Sequence, residues 1–136
     1  MKKYLAAVLA LSLAACAGIS DSSFRFQGQV LNLNEAPATP PALQVENIAS
    51  GVLAISGGTT TPCWNDVVRL DGNKNGSTLE MIIDRVAQNP CTDARTRHHA
   101  YLGVFSSMRL GTYTVRVVDA TGASPVVLVE TTVQVN

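Results

Sequence analysis

Thr112-Tyr113-Thr114-Val115-Arg116-Val117 alternates apolar and polar residues, and after Thr121-Gly122 a second alternating run extends from Val127 to Val135. A period of two puts Tyr113, Val115 and Val117 on the inward face of one strand. It puts Val127, Val129, Thr131, Val133 and Val135 on one face of the next. Two such runs around a Thr-Gly turn make a hairpin of half-buried strands.

Upstream the same period recurs. Phe24 to Val30 alternates, Leu43 to Ile48 and Val52 to Ile55 are short strand segments, and Val67 to Leu70 is another. His99 to Phe105 reads as a strand with Tyr101 and Phe105 on its buried face and Gly103 as its weak point. Between them, Glu35-Ala36-Pro37-Ala38-Thr39-Pro40-Pro41 has three residues without a donor and reads as an extended connection between sheets. Gly57 to Pro62 reads as a loop leading into Cys63 and Trp64, Asp71 to Gly76 as a hairpin loop, and Asn89 to Ala94 as a further loop. Residues 78–88 carry two patterns. Leu79, Ile82, Ile83 and Val86 fall at helical spacing behind a Ser77/Glu80 capping box, while Leu79, Met81 and Ile83 share one face of a strand. The hairpin loop before the segment and the strands around it favour the strand. The expected fold is all-β: a sandwich of about seven or eight strands spanning residues 23–136.

Composition sets the class. The chain has 136 residues, 46 % apolar and 15 % charged, with ten Lys and Arg against ten acids. That is one domain, too apolar for a disordered chain. With no basic surplus to neutralise phosphates, nucleic acid is not an expected partner.

Met1-Lys2-Lys3 precedes an apolar run, Tyr4 to Ala15, broken only by Ser12. At about 18 Å as helix, the run is too short for about 30 Å of hydrocarbon and reads as a secretory signal. Leu13-Ala14-Ala15-Cys16 resembles the lipobox of bacterial lipoproteins. The resemblance implies that residues 1–15 are a signal peptide removed by cleavage. It implies that the Cys16 thiol carries a diacylglycerol and its amine an acyl chain such as palmitate, and that 16–22 is a lipidated tether. Ala17, where an Asp would retain the protein in the inner membrane, implies the outer membrane. Such an anchor holds a protein to a membrane without spanning it. The processed chain keeps Lys74 and seven arginines against ten acids, so its net charge is about −2 and does not steer it toward anionic lipid.

With Cys16 assigned to lipid, Cys63 and Cys91 are expected to form a disulfide in an oxidising compartment. The loop they close corresponds to about 3.6 kcal/mol in the chain-entropy picture. Leu110-Gly111-Thr112-Tyr113 resembles the approach to a tyrosine corner, and Trp64 beside Cys63 suits a core aromatic near the disulfide. The Cys63–Cys91 segment, followed by Gly111, Tyr113 and Val115, resembles small immunoglobulin-like domains of bacterial envelope lipoproteins. That resemblance implies a Greek-key, immunoglobulin-like sandwich and brings no catalytic residues with it.

His98-His99 invites a metal site, with Met108, Met81 or Asp93 as further ligands. Adjacent strand residues point to opposite faces, however, so one ion cannot easily take both rings; no metal or cofactor is expected. Asp93, Arg95 and Arg97 form a polar run beside them. Gly-x-Ser-x-Gly, HExxH and a lone reactive Cys are all missing, so an enzyme is not expected. Glu80 and Asp84 read as one face of an exposed element. Ser77-Thr78, Gly58 to Thr61 and Thr131-Thr132 read as polar strand edges, either soluble or open to an added strand. The expected function is therefore a membrane-anchored interaction or scaffold module for another envelope protein or a cell-wall component. The alternatives are a periplasmic metal or small-ligand carrier using His98 or His99, and an anchored hydrolase inhibitor presenting loop 57–62 or 89–97. Cys16→Ser is expected to release the protein from membranes while leaving its melting temperature unchanged, as read by fractionation and calorimetry of the released protein.

Overall fold

In a computed structural model of the protein, the described residues are 24–136; the expected signal segment 1–15, the expected lipidation site Cys16 and the expected tether 16–22 lie outside them. Eight strands follow in order: β1 (Arg25–Leu33), β2 (Gln44–Ala49), β3 (Val52–Thr61), β4 (Val67–Asn75), β5 (Thr78–Val86), β6 (Arg97–Ser106), β7 (Gly111–Ala120) and β8 (Val126–Val135). They build a β-sandwich of two four-stranded sheets, sheet A in the order β1-β6-β3-β2 and sheet B in the order β4-β5-β7-β8. A disulfide joins Cys63 to Cys91, whose Cα atoms are 5.9 Å apart. Neighbours pair antiparallel except β5 and β7, which run parallel. β6, which lies between them in the chain, crosses to the other sheet, so the parallel pair needs no helix to return the chain.

The two sheets lie strand over strand. Phe26 of β1 rests on Gly72 of β4, Met81 of β5 on Gly103 of β6, Thr59 of β3 bonds Asp119 of β7, and Asn47 of β2 bonds the Gln134 carbonyl of β8. Inward residues at alternate positions fill the space between. Leu53, Ile55, Leu79, Met81, Ile83, Phe105, Val115, Val117 and Val135 are completely buried. Phe24 stacks on Phe105 and Phe26 packs against it at a tilt, with centroids 5.8 and 4.9 Å away, and they close the side where the edge strands β1 and β4 meet. Tyr113 donates its hydroxyl to the Arg109 carbonyl at 2.8 Å, the backbone tie of a tyrosine corner.

Residues 78–88 form strand β5 as far as Val86. Pairing on both sides, with β4 and β7, supplies more hydrogen bonds than the weak local helical spacing offers. Five expectations change. Gly57 to Thr61 is not a loop but the second half of β3. Its glycines are there for close approach: a Cβ on Gly57 would sit 2.4 Å from the Tyr101 hydroxyl, and one on Gly58 would sit 3.0 Å from Pro41. The Asp71–Gly76 stretch is mostly strand as well. The turn is Gly76-Ser77 alone, with Gly76 at φ 59° and no positive φ at Ser77, the pattern of a type II′ hairpin. The proline-rich connection joins two strands of the same sheet, β1 and β2 at opposite edges of sheet A, so it straps across β6 and β3. In β8 the register slips opposite Val117 and Val118, leaving Leu128 outside the pairing. Val127 thereby falls opposite Val118 and is exposed; Thr131 stays in register with the inward Val115 yet is also exposed, so only Val129, Val133 and Val135 pack at the core. Trp64 is half-buried at the surface rather than in the core.

The strands give the sandwich two distinct ends. The strap 34–43 and the connections 62–66, 87–96 and 121–125 gather at the disulfide end; the turns 50–51, 76–77 and 107–110 gather at the other. A Cβ placed on Gly72 would lie 2.2 Å from the Phe26 ring, whereas one on Gly122 meets nothing within 4 Å. Gly72→Ala is accordingly expected to cost about 1–3 kcal/mol in urea unfolding, less in a Phe26→Leu background, with Gly122→Ala within about 0.5 kcal/mol of the parent.

Candidate functional site

At the disulfide end the inward face of sheet A changes from apolar to polar. Across β1 and β6, Asn32 is the register partner of His99, and Thr61 lies nearby on β3. His99 is 1 % exposed; its Nδ1 lies 2.8 Å from Asn32 Oδ1 and its Nε2 lies 2.9 Å from Thr61 Oγ1. An amide oxygen only accepts, so Nδ1 carries the proton, and Nε2 accepts from the Thr61 hydroxyl. Burial holds the His99 pKa below its ordinary value, and Arg97 and His98 push the same way against the opposing pull of Asp66. The neutral ring is the form this site is built around.

Hydroxyl, imidazole and amide in this order have the connectivity of a nucleophile, its base and an orienting group. Thr61, though, is 1 % exposed, and a nucleophile needs room beside it for the atom it attacks. The three residues act instead as a clamp that satisfies polar groups while pinning β1, β6 and β3 together. Nearby, the Asp119 carboxylate accepts from Thr59 Oγ1 at 2.9 Å, from the Thr121 amide at 2.9 Å and from Thr121 Oγ1 at 2.6 Å. It thereby joins sheet B to sheet A and caps the turn after β7. Tyr101, packed over Gly57, has its pKa pushed up to about 12 by burial and by the Asp119 charge.

Over this floor runs the strap. Pro37, Pro40 and Pro41 of the strap line a cavity of about 320 Å³ together with Asp119 and with Leu33, His98 and Thr60, which are register neighbours on β1, β6 and β3. The volume is at the lower end for a small-molecule site, and the mixture of apolar wall and few polar groups is of the usual kind.

A second cluster flanks the disulfide. The guanidinium carbons of Arg95 and Arg97 lie 4.5 and 4.7 Å from the Trp64 ring centroid. Arg97 Nη1 donates to the Trp64 carbonyl at 2.9 Å, and the Trp64 amide donates to the Asp93 carbonyl at 2.9 Å. Arg95 grips the Asp93 carboxylate through Nε and Nη2, and that hydrogen bonding holds the Asp93 pKa below its usual range. The loops carrying Cys63 and Cys91 are thus cross-braced by cation–π contacts and an ion pair as well as by the disulfide.

The metal candidates do not converge. His98 pairs with Leu33 and Thr60 on the outer face, His99 with Asn32 and Thr59 on the inner one. Met81 is sealed in the core, Met108 is at the opposite end of the sandwich, and Asp93 is engaged by Arg95. Among the described residues no group of three or more His, Cys, Asp or Glu is placed to hold a metal. Asn32, Thr61 and Asp119 gave no signal in the sequence, since their partners are 67, 38 and 60 residues away.

The His99 clamp has a consequence for stability. The unfolded ring titrates near 6.5 and the folded ring below that, so on acidification the unfolded chain binds the proton first. Stability is therefore expected to be level above about pH 7 and to fall as the pH drops below about 6.5, until the folded ring protonates in turn. His99→Gln is expected to be less stable at neutral pH and to lose that fall between about pH 6.5 and 5, measured by urea unfolding across pH. No protein-family model, curated protein or solved structure matches this chain.

Proposed function

We propose that this protein is a membrane-anchored envelope lipoprotein whose sandwich serves as a non-enzymatic interaction or scaffold module, holding another envelope protein or a cell-wall component. The observation that carries the reading is the outer face of sheet A. Its alternate positions are Gln27, Gln29, Leu31 and Leu33 on β1, Ala100, Leu102 and Val104 on β6, and Ala54 and Ser56 on β3. Leu31 is 64 % exposed and Leu102 38 %, with a shallow depression between them. Among the described residues, the only Asp, Glu, Lys or Arg on this face are Arg25 and Glu46, near its margin. The outer face of sheet B is the contrast: Arg69, Asp71, Asp84 and the ion-paired Glu80, Arg116 and Glu130 keep it solvated. A face depleted of charge and bearing exposed leucines is the compositional mark of an interface core.

A small-ligand carrier is a second reading, supported by the cavity under the strap with His98 at its edge. The inhibitor reading keeps only segment 89–97, because 57–61 is paired strand. A photoreactive residue at Leu102 in living cells is expected to give one discrete crosslinked species that the same residue at Arg69 does not. Leu31→Asp with Leu102→Asp is expected to remove the species, with stability held within about 1 kcal/mol. No crosslink from position 102 would sink this reading, and a copper- or zinc-induced thermal shift lost in His98→Ala would favour the carrier.

A further inference from the structure

We propose that the open edge of β8 is a self-association surface, where a second copy of this chain pairs antiparallel and joins the two copies of sheet B into one continuous sheet. β8 has β7 on one side and, among the described residues, no strand on the other. The remaining edges are shielded or short. β1 and β4 close over each other through Phe26 and Gly72. β2 is six residues long, with a register shift between Asn47 and Ala49 and a charge at Glu46. β8 runs for ten residues, Val126–Val135, without Pro, Lys or Arg and with Glu130 as its one charge. A long edge of that kind is a template for another strand unless something blocks it.

Hydrogen bonding sets which backbone groups are open. In an antiparallel ladder, alternate residues turn both N–H and C=O toward the partner strand, and those between turn both away. The Gln134 carbonyl accepts from Asn47 Nδ2, and the Asn136 carbonyl accepts from the Gly51 amide, both outside the β7 ladder. The register with β7 is continuous from Val129 to Val135, so even-numbered residues there face away from β7. Gln134 is engaged by Asn47, and the slip at Leu128 breaks the regular edge on the other side. What remains is a window from Val129 to Val133, in which Glu130 and Thr132 turn their amides and carbonyls to the open edge.

This window is its own complement. Its midpoint is Thr131, and a two-fold axis there sets Glu130 against Thr132 of the partner subunit and Thr132 against Glu130 of the partner subunit. Every open amide then meets an open carbonyl. An axis at Glu130 would place two carboxylates directly opposite each other, which is repulsive. An axis at Thr132 would require the Gln134 groups that Asn47 engages. The pairing at Thr131 also covers apolar surface. Val129 and Val133 point inward yet stay half-buried, and Thr131 is exposed beside them. Across the axis Val129 falls opposite Val133 of the partner subunit, which extends the core from one copy to the next. No charge points inward within the window, the device that commonly keeps an edge single. The axis is perpendicular to the sheet, so the outer faces of both copies of sheet A stay open on the same side.

Cysteine crosslinking of the full chain in intact cells tests the pairing. Thr131 and its copy form a non-hydrogen-bonded pair, whose Cα atoms lie about 4.5 Å apart and within disulfide reach. Thr131→Cys is expected to give a dimer band on non-reducing electrophoresis at least about fivefold stronger than Glu130→Cys or Thr132→Cys, whose copies stand two residues out of register. Adding Thr132→Pro removes an open amide without touching the β7 ladder, and is expected to weaken the band at least about fivefold. In sedimentation the parent chain is expected to be a dimer and Thr131→Lys a monomer with an unchanged melting temperature. That variant, at an exposed position, decides the matter should Thr132→Pro fail to fold. A monomeric parent chain with no band from Thr131→Cys would overturn the proposal, as would a band that survives Thr132→Pro in folded protein. A stronger band from position 130 or 132 would overturn the register. A bond from Thr131→Cys to a different protein would overturn the second copy as the occupant.

Discussion

The sandwich depends on glycines that let large side chains of one sheet reach the backbone of the other. Phe26 presses on Gly72, Leu70 on Gly28 and Met81 on Gly103, each at a distance that a single added carbon would violate. These contacts fix the offset between the sheets, since sliding by one residue would replace each glycine with a side chain. Two of them join β1 to β4, the edge strands that would otherwise leave the core open on that side. With the offset set, the fully buried residues fill the interior, and the polar residues of β1, β3 and β6 fall at the disulfide end.

That division explains why the two ends differ in chemistry. At the disulfide end, polar groups are buried and must be satisfied, so Asn32, His99, Thr61, Asp119, Thr59 and Thr121 bond one another. The same region carries the strap, the Trp64–Arg95–Arg97 brace and the only covalent cross-link among the described residues. The opposite end consists of short turns with little buried polarity, and it presents Ile48 and Leu110 to solvent. Between the ends, the outer face of sheet A is the broad surface low in charge, on the side where the proposed module would meet a partner.

Alternation made most strands legible, because a half-buried strand writes its own period; β7, with Tyr113, Val115 and Val117 inward, is the clearest. Tyr113 itself could be read from Gly111 and its spacing. Two kinds of feature could not. Gly57, Gly58 and Gly72 look like loop residues because sequence carries no sign of what approaches them, and here it is Tyr101, Pro41 and Phe26. Pairings made over long separations were equally silent. Nothing near Leu79 announces β7 as its parallel neighbour, and nothing near His99 announces Asn32 or Thr61. Analogy with a disulfide-packed tryptophan points Trp64 to the core, whereas Arg95 and Arg97 over its ring accompany a half-buried place at the surface.

The position of β6 governs the order in which the fold can be completed. β1 has β6 as its sole sheet neighbour, with Leu33 opposite His98, and β3 and β1 meet only through it. In a chain delivered N-terminus first, from a ribosome or through a narrow export pore, β1 emerges long before residues 97–106 and has no strand to pair with. The β2–β3 and β4–β5 hairpins close locally in that interval, and both cysteines arrive before β6 does. Sheet A is then assembled late by insertion of one central strand between two waiting ones. For as long as that takes, the apolar residues of β1 remain a span a chaperone could hold, and completion of the sheet is what would release it.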